Sequence, residues 1–232
     1  SVGGAPSTPE LLRGAYEKLK CIVINGFGSS EGTNTATRPG DSMDIICNSV
    51  GRKACPHDII KIIDDSGIEV PPGVEGELVS KGPGIFTGYF KSQEENKETF
   101  TVDGFFKTGD KARKDEFGNI TITGRIKDII NRGGEKISAL EIEHRLSAHP
   151  QIQEAAVVGM PDKILGERIC AYVVLRSGEK PTFDSIIAFL KANGASVQQL
   201  PERIEFIESL PATKVGKVDK KALREDIKKR LE

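Results

Sequence analysis

The sequence predicts a two-part chain, an α/β piece followed by a small α+β domain, and three observations carry that prediction. Up to residue 124 the chain is turn-rich and built mainly of short strands, whereas beyond 137 strands alternate with three well-capped amphipathic helices. Between them, Gly124-Arg125-Ile126-Lys127-Asp128-Ile129-Ile130-Asn131-Arg132-Gly133-Gly134-Glu135-Lys136-Ile137 is a short apolar run embedded in charge and closed by a glycine pair, which reads as a joint. The charge balance changes at the same place. Residues 1–124 carry 14 Lys+Arg against 18 Asp+Glu and residues 125–232 carry 19 against 16, so a net of −4 gives way to +3. With 37% hydrophobic residues in 232, each part can bury a core.

Composition excludes several classes. No run approaches the roughly 18 apolar residues of a membrane span, and the first residues lack a basic segment followed by an apolar one, so a soluble cytoplasmic protein is expected. Cys21, Cys47, Cys55 and Cys170 form no CxxC pair and read as reduced thiols rather than zinc ligands. A net charge of −1 argues against nucleic acid as the main partner. The chain opens on Ser1-Val2-Gly3-Gly4 without an initiator methionine, as a piece of a longer protein would.

Ser7 and Glu10 have capping-box spacing around Pro9 and predict a helix whose apolar face is Leu11, Leu12, Ala15, Tyr16 and Leu19. Residues 21–24 are apolar on both faces, as in a buried parallel strand, and run into Asn25-Gly26-Phe27-Gly28-Ser29-Ser30-Glu31-Gly32. In open α/β sheets ligands sit beyond the carboxyl ends of strands. Glycines there admit backbone close to a ligand, hydroxyls and N–H groups hold phosphate oxygens, and a carboxylate holds a magnesium ion bridging them. The competing reading is a serine-glycine turn that binds nothing. From 51 to 124 the pattern is a meander: strands over 57–63 and 74–80, a polar helix over 92–99, then Phe105-Phe106-Lys107-Thr108-Gly109-Asp110 and a hairpin through 115–119. Asp110 is placed to accept hydrogen bonds from a sugar diol, or else is a turn residue.

Past the joint, Ser138-Ala139-Leu140-Glu141 is a second capping box, opening a helix with Leu140, Ile142 and Leu146 inward. Glu141 and His144 have ExxH spacing, with no second copy to complete a metal site. Strands follow over 155–160 and 169–175, a helix over 183–193 stopped by Gly194, a short strand over 204–207, and a final helix over 220–231. Gly216-Lys217 fails as a phosphate-binding P-loop, because Val218 stands where a hydroxyl must hold magnesium and no glycine lies five residues before Gly216.

The order and spacing of these motifs resemble the adenylate-forming superfamily, which includes acyl-CoA synthetases, the adenylation domains of peptide synthetases and firefly luciferase. Gly3-Gly4-Ala5-Pro6, Gly26-Phe27-Gly28-Ser29-Ser30-Glu31, Gly76-Glu77-Leu78 with Gly88-Tyr89, Lys107-Thr108-Gly109-Asp110, the 124–137 joint and the 211–217 loop match its blocks in turn. The stretch 130–136 and the phrase Pro211-x-Thr213-x-Val215-Gly216-Lys217-Val218-x-Lys220-Lys221-Ala222-Leu223-Arg224-Glu225 are most similar to aryl-acid ligases of the 2,3-dihydroxybenzoate-AMP type. A fatty-acyl or other acyl-CoA synthetase is the alternative. A module that only docks nucleotide or carrier protein is the alternative without chemistry.

The resemblance implies an ATP-dependent acid–thiol ligase using ATP, magnesium and either coenzyme A or the phosphopantetheine of an aryl or acyl carrier protein. Phe27, between Gly26 and Gly28, would stack on adenine; Ser30 would bind the α-phosphate and Glu31 the magnesium ion. Asp110 would accept the ribose hydroxyls beside Arg125, Lys127 would be a hinge, Gly133 and Gly134 would line the thiol channel, and Lys217 would be catalytic. It also implies the boundary: residues 1–126 as the remnant of a large domain, comprising part of a sheet over 1–50 and a distorted β-barrel over 51–126, then a mobile domain over 127–232. The family's Ser/Thr/Gly-rich phosphate loop precedes the matched region. This stretch alone is therefore expected to be inactive, and its exposed sheet remnant is expected to favour a dimer.

Overall fold

The computed structural model describes residues 1–4, 7–176, 178–214 and 216–231. They fall into two compact units, Ser1–Ile126 and Lys127–Glu232.

In the first unit, helix α1 (Pro9–Leu19) is capped by Thr8, whose Oγ1 accepts from the Leu11 amide at 3.2 Å. The cap is Thr8 rather than the expected Ser7 because proline, with no N–H and its φ preset, occupies the first helical position and fixes the cap immediately before it. Of the expected apolar face only Leu12 is buried, against Val23, Ile46 and Cys47; Leu11, Tyr16 and Leu19 are exposed. Residues 21–24 are not a strand. A buried parallel strand needs neighbours on both edges, and the described residues supply one parallel bridge, Val2 with Asn25.

Strands β1 (Gly26–Gly28) and β2 (Asn34–Ala36) pair antiparallel; the short helix α2 (Met43–Asn48) follows, and β3 (Arg52–Lys53) returns to β2. Strands β4 (Ile59–Ile63) and β5 (Gly76–Lys81), helix α3 (Gln93–Thr99) and strands β6 (Phe106–Lys114) and β7 (Ile120–Arg125) complete the unit. The four strands form an antiparallel sheet in sequence order, packed on Ile62, Leu78, Ala112 and Ile120. This sheet is open, which corrects the barrel expected over 51–126. Among the described residues no pairing joins β4 to β7, and the outer edge of β7 is taken at Ile120 by the backbone of Val50 and Gly51.

The second unit is α+β. Strands β8 (Ile129–Arg132) and β9 (Glu135–Ser138) form a hairpin and lead into α4 (Ala139–Ser147), capped by Ser138. Strands β10 (Ile152–Asp162) and β11 (Gly166–Leu175) pair over their whole length; α5 (Phe183–Ala192) then carries the chain to β12 (Arg203–Phe206), parallel to β11. Strand β8 meets β11 only at Gly166, so β8 and β12 share one of its edges. Alternation along β11 divides the core. Ile169, Ala171 and Val173 face α4 and α5, while Cys170 and Tyr172, with Ala156, Val158 and Met160, are covered by Leu223 and Ile227 of α6 (Lys220–Leu231). Burial pushes the Cys170 thiol up to about 12, so it stays protonated and inert. Among the described residues no helix is long and apolar enough to cross a membrane.

Candidate functional site

The first unit gathers two groups of candidate residues. Gly26, Phe27 and Gly28 are strand β1 itself, and the chain then turns through 29–32, with the Gly32 amide donating to Ser29 O at 3.1 Å. Phe27 is half-buried and packs on the Ile62–Leu78–Ala112–Ile120 cluster, while Ser30 is exposed. Gly3 lies so close to Gly26 that a Cβ on it would stand 2.9 Å from Gly26 O. Ala5 and Pro6 of the same motif lie outside the described residues, as does Val215 of the Lys217 loop.

Glu31 is held from a distance in sequence. Its Oε1 accepts from the Tyr89 hydroxyl at 2.9 Å, and its carbonyl accepts from the Phe86 amide at 2.8 Å. Tyr89 is fixed in turn by an edge-on contact with Phe86, ring centroids 4.9 Å apart. Burial, and next its hydrogen bond to Glu31, raise the phenol's pKa, which keeps it a donor. Tyr89 was legible only as half of the Gly88-Tyr89 match; nothing in the sequence says that it reaches 58 residues back to a carboxylate. The tight point is Gly32, at φ +111°, where a Cβ would fall 1.9 Å from Gly84 O. A Gly32→Ala chain should lose about 1–3 kcal/mol from backbone conformation alone, and more from that contact. Calorimetric unfolding reads this directly, and an unchanged midpoint would mean that 29–32 and 84–86 are not pressed together.

The second group is on the β6–β7 ladder. Asp110 is buried, and Arg125, its cross-strand partner in register, donates Nε to its Oδ1 at 2.8 Å. The pairing of β5 with β6 slips between Glu77 and Val79, and Gly109 takes φ +71° beside that slip, with its amide donating to Glu77 Oε1 at 3.2 Å. A bulge of this kind re-aims the next side chain. The Thr108 hydroxyl secures the bend, donating to Leu78 O at 2.8 Å and accepting from the Asp110 amide at 3.1 Å.

The second unit holds the remaining candidates at separate places. Gly133 and Gly134 form the β8–β9 turn with φ +60° and +94°, and the Gly133 amide donates to Leu165 O at 2.7 Å. Two consecutive positive φ values require glycine for the turn itself, whatever else passes over it. Lys127 is exposed, and its carbonyl accepts from Arg224 Nη2 at 3.1 Å. Lys217 is exposed on a loop closed by backbone bonds between Thr213 and Lys217, at 2.7 Å, and between Asp219 and Pro211, at 2.7 Å. Its ammonium pairs with no described carboxylate, so it is free to meet an anion. The described residues contain no group of three or more His, Cys, Asp or Glu able to hold a metal. A lone carboxylate such as Glu31 is a hard oxygen donor of the kind magnesium takes beside phosphates and water.

Two family models match the chain: AMP-binding enzyme over residues 1–90, and AMP-binding enzyme C-terminal domain over 141–217. The chain belongs to the AMP-binding enzymes. Relatives include the 2,3-dihydroxybenzoate-AMP ligase of Bacillus subtilis, 44% identical over 99% of this chain and 42% of the relative, and triostin synthetase I of Streptomyces triostinicus, 47% identical over 96% and 42%. Among solved structures, ATP-bound MatB of Rhodopseudomonas palustris superposes with a TM-score of 0.91 at 31% identity, over 99% of this chain and 45% of that one. The chain thus spans about two fifths of the length of the AMP-binding relatives it matches. Glu31 and Tyr89 fall within the first matched segment and Lys217 closes the second, whereas Asp110, Arg125, Lys127, Gly133 and Gly134 lie between the two.

Proposed function

We propose that this chain is part of an ATP-dependent ligase that activates an aromatic carboxylic acid as its adenylate and passes the acyl group to a pantetheine thiol. The name of the Bacillus subtilis relative, a 2,3-dihydroxybenzoate-AMP ligase, supports an aryl acid, and a carrier protein or coenzyme A is the proposed acceptor. In the first half-reaction a carboxylate oxygen attacks the α-phosphorus of ATP and the bond to pyrophosphate breaks. In the second the thiol sulfur attacks the acyl carbon, AMP leaves with the C–O electrons, and the thiol proton goes to solvent.

The observation that carries this reading is the buried Asp110 carboxylate, aimed by a bulge and held by Arg125. A carboxylate fixed in this way can accept both hydroxyls of a ribose, and a desolvated acceptor binds a diol more tightly than a solvated one. Phe27 offers its ring to adenine and Ser30 its hydroxyl to the α-phosphate. Magnesium, when bound at Glu31, neutralises phosphate charge. Tyr89 orients Glu31, and Lys217 meets the charge that develops as two anions react, stabilising the transition state more than the ground state. Gly133 and Gly134, bare of side chains, are offered as the wall along which pantetheine enters. We place the hinge at Lys127, with the second unit as the mobile one.

Titrating AMP into this chain calorimetrically tests the reading. Saturable binding is expected, and Asp110→Ala should weaken it by about tenfold or more, the loss of a charge-assisted hydrogen bond. Binding that is indifferent to Asp110 would sink the ribose assignment. Acid-dependent pyrophosphate exchange by a longer protein carrying this chain tests the chemistry.

A further inference from the structure

The start of the second unit is tied to its last helix by four charged side chains that none of the roles above uses. Asp128 Oδ1 accepts from Arg224 Nη2, which also donates to Lys127 O at 3.1 Å. Lys220 Nζ stands 3.9 Å from Asp128 Oδ2 and 2.7 Å from Glu143 Oε1, and Glu143 Oε1 accepts from the Val157 amide at 2.6 Å. The side chains of Asp128, Glu143 and Lys220 are 12%, 14% and 18% exposed. Two carboxylates and two cations balance, so the cluster is neutral as a whole.

Buried ion pairs of this kind add little stability beyond what apolar packing of the same volume would give, because desolvation offsets much of the attraction. What they do supply is a defined geometry. Lys220 opens α6, whose first turn is capped by Asp219: the Asp219 Oδ1 accepts from the Ala222 amide at 3.1 Å. The Asp219 amide also closes the neck of the preceding loop on Pro211 O, and Ala212 bridges Val218 just above it. Whatever fixes Lys220 and Arg224 therefore fixes the neck of the loop that presents Lys217.

We infer that Asp128, Glu143, Lys220 and Arg224 are positioning residues: they bind the first residues of the second unit and the base of the Lys217 loop into one body. Lys217 is then presented at a constant offset from the unit boundary, and bending at that boundary is confined to residues before Asp128. The inference rests on the reading of Lys217 as the residue that meets the reacting anions.

Amide hydrogen exchange on this chain, with Asp128→Asn and Arg224→Gln made separately, tests the clamp. In each variant the amides of Thr213 and Asp219 should speed up about tenfold more than those of β10 and β11. No change at the loop overturns the inference, and so does an acceleration at the loop that only equals that of β10 and β11, which would make the four charges general stabilisers only. In a longer protein carrying this chain, Arg224→Gln should lower kcat of adenylation with KM for ATP unchanged, and Arg224→Lys should recover part of it; a change in KM alone overturns the positioning role. If Lys217→Ala left adenylation intact, the reading of Lys217 would fail while the exchange result still judged the clamp.

Discussion

In a longer protein carrying this chain, Lys217→Ala should reduce adenylate formation by about two to three powers of ten while thioester formation from supplied acyl-adenylate persists. The asymmetry follows from where charge appears. Carboxylate attack on the α-phosphate brings two anions together, and an ammonium on an exposed loop, paired with no described carboxylate, is a donor whose interaction strengthens as the reaction proceeds. Thiol attack on a neutral acyl carbon makes no such demand on that lysine. Measuring the two half-reactions separately, by pyrophosphate exchange and by thioester accumulation, decides the matter, and equal loss of both would remove Lys217 from the first step.

Lys220→Met should cost the second unit about 3–5 kcal/mol at pH 7, the penalty for stranding a buried charge. Burial is the largest influence on Glu143 and raises its carboxyl above the usual carboxylate range, with Lys220 opposing it. A folded-state pKa above the unfolded one means that the contribution to stability is present at low pH and is lost as pH rises through the folded value. Removing Lys220 takes away the opposing cation, so the variant's deficit should grow between pH 5 and pH 7. Urea unfolding at the two values reads it, and adding Glu143→Gln should return most of the loss. A deficit independent of pH would show that packing of the lysine stem, rather than Glu143, is what matters.

Local signals and long-range ones were not equally legible in this sequence. Helix α6 begins and ends where its pattern predicts, and α4 opens on the predicted Ser138 cap, because capping and amphipathic spacing act within a few residues. Residues 21–24 carry the composition of a buried strand but have no ladder partners among the described residues. Strand identity is settled by neighbours far off in sequence. The same holds for closure of 51–126, where Val50 and Gly51 occupy the edge a barrel would need. At the candidate site, residue types and spacing pointed to Glu31 and Asp110, and the family resemblance to Lys217, but what holds each was hidden. Tyr89 reaches Glu31 across 58 residues and Arg224 reaches Asp128 across 96, separations over which no periodicity speaks.

The placement of α6 also bears on how the second unit comes off the ribosome. Tyr172 and Leu223, which meet across the sheet face, are 51 residues apart. At roughly 5–20 residues per second, synthesis leaves about 3–10 s between them. Through that interval Ala156, Val158, Met160, Cys170 and Tyr172 have been made while Leu223 and Ile227, which cover them in the folded unit, have not. A nascent chain halted before residue 220 would leave them without that cover indefinitely, so this stretch of translation is when holding chaperones have most to grip.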